Sequence, residues 1–147
     1  MKENPSGHES LLERAALMNR EGESKEALEL LDSLSHSLTE SPASELQSRV
    51  FREVGLAWRT LGDVQQSQAA YERALSISRA CHSTSEEAFA LNGLAVSTHL
   101  EGDLVLAEQQ YAVAARKAAE NGLIRLTGMI EQNRGVIANI RGDLDAA

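Results

Sequence analysis

The stretch LNGLAVSTHLEGDLVLAEQQYAVA, residues 91–114, decides the fold class of this 147-residue chain. It divides at Gly102-Asp103 into two parts that each read as a helix. Glycine commonly ends a helix in the left-handed conformation, and an aspartate directly after it can cap the next helix by accepting from its free backbone N–H groups. Gly102-Asp103 therefore predicts an antiparallel helical hairpin, because one helix ends and the next begins within two residues.

The same turn recurs along the chain. Glycine followed by an acidic residue stands at four positions spaced by 40 residues: Gly22, Gly62, Gly102 and Gly142. Small side chains recur seven residues before and five residues after these glycines, and a large side chain stands nine residues after three of them: Leu31, Tyr71 and Tyr111. The small residues let two helix backbones approach, and the large one can fill the gap to a neighbouring helix. These coincident columns indicate a repeat architecture.

Helix signals between the glycines define the elements. We predict helices at 8–21, 24–37, 43–61, 64–80, 84–101, 104–120 and 123–141, with an eighth beginning at 144. Ser41-Pro42 is a cap followed by a first-turn proline, and Ser83 with Glu86 forms a capping box. The serine-rich stretch 33–48 has the weakest periodicity, so the boundary between the first two repeats is the least defined.

The repeat resembles the tetratricopeptide repeat (TPR). Two segments carry its spacings, Phe51-x2-Val54-Gly55-x6-Gly62-x4-Ser67-x3-Tyr71-x2-Ala74 and Leu91-x2-Leu94-Ala95-x6-Gly102-x4-Ala107-x3-Tyr111-x2-Ala114. The outer repeats depart from the family, since Arg14, Glu131 and Arg134 stand where it usually has apolar residues. The longer period resembles the subgroup found in kinesin light chains and in bacterial regulators, whereas the standard repeat has about 34 residues.

The resemblance implies an all-α fold, a right-handed superhelix of about 3.5 helical hairpins in a single domain over residues 1–147. The repeats would span 8–37, 43–80, 84–120 and 123–147. The stretch after Gly142 opens a helix and stops after one turn, without the polar capping element that solenoids normally need. We therefore expect the sequence to be a fragment of a longer protein; a naturally short last helix is the alternative.

The resemblance also implies where a partner would bind. In the family, the first helices of the hairpins line a concave groove that usually binds a peptide or a helix. Carried over residue by residue, the positions that would face this groove are Arg49, Arg52, Leu56, Arg59, Phe89, Asn92, Val96, His99, Gln132, Val136 and Asn139. The positions of the family's carboxylate clamp hold unsuitable residues, so this specialisation is absent: Leu12, Ala16, Phe89 and Gly93.

Three of the groove residues, Arg49, Arg52 and Arg59, share one helical face in a chain whose net charge is −8. Because a guanidinium can bind a carboxylate in a bidentate manner, we hypothesise that the groove accepts an acidic peptide. The alternative is a solvated arginine face paired with local glutamates, such as Glu45 with Arg49. The groove amides, Asn92 among them, could hydrogen-bond the backbone of a bound peptide.

Composition argues against several other classes of protein. The acidic balance, with a pI near 5.0, opposes nucleic-acid binding, which needs clustered lysine and arginine. No apolar run is long enough to span a bilayer and the polar start lacks a signal-peptide core, so we expect a cytoplasmic protein. The single Cys81 and the scattered histidines lack metal-ligand spacing, and no phosphate loop occurs. We expect no metal, no cofactor and no catalysis, and we place Trp58 in the core.

The leading interpretation is a protein–protein interaction module, the regulatory or sensing part of a larger bacterial signalling or transcription-control protein. The bacterial assignment rests on analogy with the longer-repeat relatives alone. Two alternatives stay open at this point. One is a structural scaffold that forms a homo-oligomer through its open C-terminal end. The other is an accessory domain of an enzyme whose catalytic part lies beyond residue 147.

Overall fold

The computed structural model describes residues 5–146, which form seven α-helices. These are α1 (Pro5–Arg20), α2 (Ser24–Ser37), α3 (Glu45–Thr60), α4 (Val64–Ala80), α5 (Thr84–Glu101), α6 (Leu104–Glu120) and α7 (Ile124–Ala146). No β-strand occurs in this range. The predicted bounds of α2, α4, α5 and α6 are confirmed residue for residue, whereas α1 begins earlier and α3 is shorter than predicted.

The turns inside the first three hairpins form as predicted. Gly22, Gly62 and Gly102 have φ angles of +82°, +87° and +101°, a conformation that favours glycine. The Asp63 side chain accepts a 3.0 Å hydrogen bond from the backbone N–H of Gln66, and Asp103 caps α6 in the same way. Glu23 makes no such side-chain bond at the start of α2. The two aspartates thus fix the hairpins that the sequence defines best.

The predicted turn at Gly142 and the eighth helix predicted from 144 are wrong. α7 runs without interruption through Gly142 to Ala146. After the first three glycines the chain forms second helices of 14, 17 and 17 residues, which pack back on the preceding helix. Gly142 lacks the positive φ angle that Gly22, Gly62 and Gly102 have at their turns, so the backbone there continues the hydrogen bonding of α7.

The hairpins stack in chain order. The first helices α1, α3, α5 and α7 each contact the next in that series. The second helices α2, α4 and α6 pack against their own first helix and against the first helix of the next hairpin. α5, which is contacted by α3, α4, α6 and α7, is buried over most of its surface. This arrangement confirms the predicted all-α solenoid.

The ring of Tyr71 is the central element of the packing between the second and third hairpins. A Cβ atom at Gly55 on α3 would lie 2.7 Å from ring atom Cε2, and a Cβ at Gly93 on α5 would lie 2.1 Å from Cε1. Both distances are far shorter than a carbon–carbon contact, so the ring requires glycine on each side. The predicted roles of a small residue at position 55 and a large one at position 71 are confirmed.

A buried hydroxyl pair strengthens the same contact. Ser67 Oγ donates to the backbone oxygen of Gly55 at 2.8 Å and lies 2.8 Å from Ser97 Oγ on the neighbouring hairpin. Ser97 Oγ in turn lies 3.2 Å from the backbone oxygen of Gly93. Because both serines are fully buried, these bonds replace the water that the hydroxyl groups lose on folding.

Candidate groove along the first helices

The predicted groove residues lie on α3, α5 and α7, at three degrees of burial. Those on α3 and most of those on α5 are half-buried: Arg49, Arg52, Leu56, Arg59, Phe89, Val96 and His99. Asn92 on α5 is only 9% exposed, whereas Gln132, Val136 and Asn139 on α7 are exposed. The first helices contact one another in series, and Arg52 on α3 packs over the ring of Phe89 on α5.

Arg52 is engaged inside the protein. Its Nη2 atom lies 3.0 Å from Oε2 of Glu86 on α5, and its guanidinium carbon lies 4.5 Å from the ring centroid of Phe89. The side chains of the ion pair are only 23% and 11% exposed. Burial raises the pKa of the Glu86 carboxyl, although the positive charges of Arg52 and Arg49 oppose that rise. A ligand carboxylate would therefore compete with Glu86 for Arg52.

Arg49 lies on the side of α3 that faces α1. Together with Arg52 it lines a cavity of about 240 Å³ whose wall includes residues of α1, among them Leu12 and Ala16. The proposed pairing of Arg49 with Glu45 is not seen, since no ion pair joins these two side chains. Glu45 instead accepts a 2.9 Å hydrogen bond from Ser83 Oγ.

Arg59 has no carboxylate partner in the part of the chain that the structure describes. Its guanidinium carbon lies 5.8 Å from the ring centroid of Tyr71, and its buried Nη1 atom meets no acceptor there. Burial raises the pKa of Tyr71 and raises that of Tyr111 to about 12, and the charge of Arg59 opposes both shifts. The Tyr111 hydroxyl likewise has no hydrogen-bond partner among residues 5–146. Arg59 thus offers a donor that the protein itself does not use, whereas the Tyr111 hydroxyl is fully buried on α6.

The glutamates of this surface were not predicted from the sequence. Asn19 Nδ2 donates to Glu53 Oε2 at 2.9 Å across 34 residues, and the same offset separates Arg52 from Glu86 (86 − 52 = 34). Residues that face each other on successive first helices are therefore separated by 34 residues in sequence, six fewer than the 40-residue period of the repeat. Complementary polar residues at this offset are the signal that would have found both contacts.

The same offset explains why Arg59 has no internal partner. Thirty-four residues after Arg59 the chain has Gly93, which carries no side chain (59 + 34 = 93). The space beside Gly93 is taken by the ring of Tyr71, over which Arg59 packs. The glycine that the core requires therefore also leaves a guanidinium group without a carboxylate.

The α7 end of the surface has a different character. Met129, Val136 and Ile140 expose much of their apolar side chains, and Gln132 and Asn139 are exposed between them. Asn92, on α5, is buried and its Oδ1 atom has no hydrogen-bond partner in the described residues. The surface is thus charged along α3 and mixed apolar and amide along α7.

Comparison with known proteins identifies the fold. No protein-family model matches the sequence, and no curated protein matches it. The nearly identical TPR-like repeats of a Podosopora anserina protein described as a kinesin light chain superpose with a TM-score of 0.66. The match covers 97% of this chain and 78% of that one at 18% sequence identity, and a second crystal structure of the same protein, a single-substitution variant, gives the same values. The chain has the TPR-like fold.

The predicted right-handed TPR-like superhelix is therefore confirmed, while an identity of 18% establishes the fold alone and not what the groove binds. Within residues 5–146, no helix is long and apolar enough to cross a membrane. The same range contains no cluster of three or more histidine, cysteine, aspartate or glutamate residues that could hold a metal ion.

Proposed function

We propose that this chain is a TPR-like interaction module that binds a peptide or helix of another protein along its first helices. The observation that carries the proposal is a pair of polar atoms on the first helices that have no hydrogen-bond partner among the described residues: Arg59 Nη1 and Asn92 Oδ1. A buried donor or acceptor left unpaired costs about 1–3 kcal/mol, so a ligand that supplies the missing hydrogen bonds gains affinity. Such atoms are costly to maintain for packing alone.

The ligand that this surface favours is an acidic peptide that also carries apolar side chains. Arg59 supplies an unpaired guanidinium for a carboxylate, and Val136 and Met129 supply exposed apolar contacts further along the groove. We expect Arg52 to contribute less to ligand binding than its position in the sequence suggested, because its charge is already paired with Glu86.

Fluorescence polarisation with a labelled peptide of glutamate and leucine tests this assignment. We expect Arg59→Ala to weaken binding about tenfold or more, since a hydrogen bond to a charged group contributes about 1.5–3 kcal/mol. Arg52→Ala should weaken it less. The matched control is Arg116→Ala, which removes an exposed arginine on α6 that is outside the groove. Unchanged affinity in Arg59→Ala would remove the acidic-peptide assignment.

The wider role belongs to the same proposal. We place the module in the regulatory or sensing part of a larger bacterial signalling or transcription-control protein that acts in the cytoplasm without catalysis of its own. Copurification of the full-length protein with its partner, followed by loss of the partner in Arg59→Ala, tests the interaction role in cells. Loss of a chemical activity on removing this chain, with the partner still bound, would favour the enzyme-accessory alternative.

A second candidate, self-association through α7, is favoured by one observation. Ile124 is 85% exposed at the start of that helix, and Met129 is exposed one turn further on. Exposed apolar side chains on a helix are suited to packing against a second copy. Light scattering of the wild type and of Ile124→Asp with Met129→Asp separates the two candidates, because only a scaffold should dissociate in the variant.

A further inference from the structure

A second concave feature lies between α2 and α3, on a face of α3 different from the groove. This α2–α3 cleft has a volume of about 390 Å³. Its walls are mainly apolar and include Leu28, Leu31, Phe51, Val54 and Trp58. Trp58, predicted to lie in the core, is only half-buried here.

A small side chain on α2, Ser35, leaves space in the cleft. Ser35 occupies the repeat position at which Leu75 stands 40 residues later, and Leu75 is buried between α4 and α5. Trp58 corresponds to Thr98 (58 + 40 = 98), which is also buried. The chain has five aromatic residues, counting one Trp, two Tyr and two Phe, and the two in this cleft keep part of their rings exposed. Exposed aromatic rings in a concave site are typical of a binding surface.

The rim of the cleft on α2 is acidic. Glu29 and Asp32 are exposed and line it, and neither forms an ion pair with a lysine or arginine of the described chain. Asp32 Oδ1 lies 3.9 Å from Nδ1 of the His36 ring, and the guanidinium carbon of Arg73 lies 5.7 Å from the centroid of the Phe51 ring. An apolar floor beside carboxylates that have no lysine or arginine partner is complementary to an apolar side chain with a neighbouring cation.

We propose that the α2–α3 cleft is a second docking surface, which accepts a basic, apolar segment of a partner protein. An aliphatic side chain of that segment enters the cleft beside Phe51 and Trp58, and a lysine or arginine next to it pairs with Glu29 or Asp32. The chemistry is opposite to that proposed for the groove, where Arg59 favours an acidic ligand. The two surfaces therefore take different ligands, and neither proposal depends on the other.

Trp58 is the sole tryptophan, so its emission reports directly on the cleft. The probe is a short synthetic amphipathic peptide of leucine and lysine, and its counterpart carries glutamate in place of each lysine. We expect the lysine peptide to shift the Trp58 emission to shorter wavelength with saturation, and to produce this shift at a concentration about tenfold or more below that needed with the glutamate peptide. An equal Trp58 shift with the two peptides, or no shift with the lysine peptide, would overturn the proposal.

Two variants locate the binding. Ser35→Leu places in the cleft the residue that fills the same position of the next repeat, and Glu29→Lys with Asp32→Lys reverses the rim charge. Each should weaken the lysine peptide about tenfold or more. The matched control is Glu72→Lys, the same charge reversal one repeat later on the exposed side of α4, which should bind as the wild type does.

Circular dichroism of each variant checks that the helices remain. If Ser35→Leu fails to fold, the charge-reversal pair still decides, because Glu29 and Asp32 are exposed. Wild-type affinity in the charge-reversal pair overturns the proposal. So does a Trp58 emission that changes with protein concentration before any peptide is added, because a second copy of the chain would then occupy the cleft.

Discussion

The junction between α2 and α3 and the junction between α4 and α5 occupy equivalent places in the repeat, yet only the second is closed. Leu75 and Thr98 are buried where α4 meets α5, whereas Ser35 and Trp58 leave a cleft where α2 meets α3. The linkers differ as well, since residues 38–44 separate the first pair of helices and residues 81–83 the second. The same helix arrangement therefore forms a closed core at one junction and an open cleft at the other. The volume of the side chains at the two junctions accounts for the difference.

The largest expected effect comes from breaking the closed junction at Gly93. Gly93→Ala places a methyl group against the Tyr71 ring, and we expect the free energy of unfolding to fall by about 3 kcal/mol, at the upper end of the usual overpacking cost. Urea denaturation followed by circular dichroism measures it. The control is Gly128→Ala in α7, where a Cβ meets nothing within 4 Å. It should raise stability by about 0.5–1 kcal/mol, because alanine favours a helix interior over glycine.

A double substitution checks the mechanism of that loss. The first hairpin has Leu31 at the position equivalent to Tyr71. Leucine is therefore a side chain that already occurs at this position of the repeat, and Tyr71→Leu removes the ring. With the ring removed, Gly93→Ala should cost far less than it does in the wild type. Additive losses in the double variant would mean that the ring and the glycine are not coupled.

The buried hydroxyl pair of Ser67 and Ser97 is a further difference between the two junctions, because the first hairpin lacks it. Ala27 stands at the position of Ser67. We expect Ser67→Ala to cost about 1 kcal/mol, the net contribution of a typical intramolecular hydrogen bond. Adding Ser97→Ala should cost less than the first substitution, since Ser97 has then already lost its Ser67 partner and keeps only the bond to the Gly93 backbone oxygen. Unfolding by urea measures both, and a second loss as large as the first would contradict the pairing.

The smallest expected effect concerns Glu86 and Glu87, two adjacent carboxyls at the start of α5 whose pKa values are shifted in opposite directions. Burial acts to raise the pKa of Glu87, but hydrogen bonds from Lys117 and Arg79, each at 3.0 Å, outweigh it and hold that pKa below its usual value. The pKa of Glu86 is raised, chiefly by burial. A lowered folded-state pKa gives stability above the unfolded-state pKa that is lost as pH falls through the folded value. A raised pKa has the reverse sign.

On acidification from neutral pH, Glu87→Gln should therefore lose less stability than the wild type, and Glu86→Gln should lose more. Urea unfolding at a series of pH values measures the difference. The control from the first junction is Gln47→Ala, which removes the uncharged residue at the position equivalent to Glu87 and should leave the pH dependence unchanged. Parallel pH profiles for the two glutamine variants would contradict the assigned pKa shifts.

The parts of the fold that local chemistry determines were predictable from the sequence. A glycine with positive φ and an aspartate cap act within a few residues, so the turns at Gly62 and Gly102 could be placed correctly. The turn at Gly142 was not, because the same pair of residues, Gly142-Asp143, lies inside α7. Local signals alone do not distinguish these two cases.

The candidate groove shows the same limit. The repeat pattern put the groove residues on α3, α5 and α7, but the pairing of Arg52 with Glu86 depends on how far successive hairpins are displaced along their axes. The packing of Tyr71 between Gly55 and Gly93 likewise involves three helices, so no single helix reveals it. The half-exposure of Trp58 likewise depends on the small size of Ser35 on another helix.

The two glycines around Tyr71 also fix the order of the modules. One belongs to the hairpin that carries the ring, and the other, Gly93, belongs to the hairpin that follows. The fourth hairpin has Asn133 at the position of Gly93, so exchanging the second and third hairpins would bring that side chain against the ring. Although the chain is built from similar units, recombination could not shuffle them freely, because any hairpin placed after the second must supply glycine at the position of Gly93.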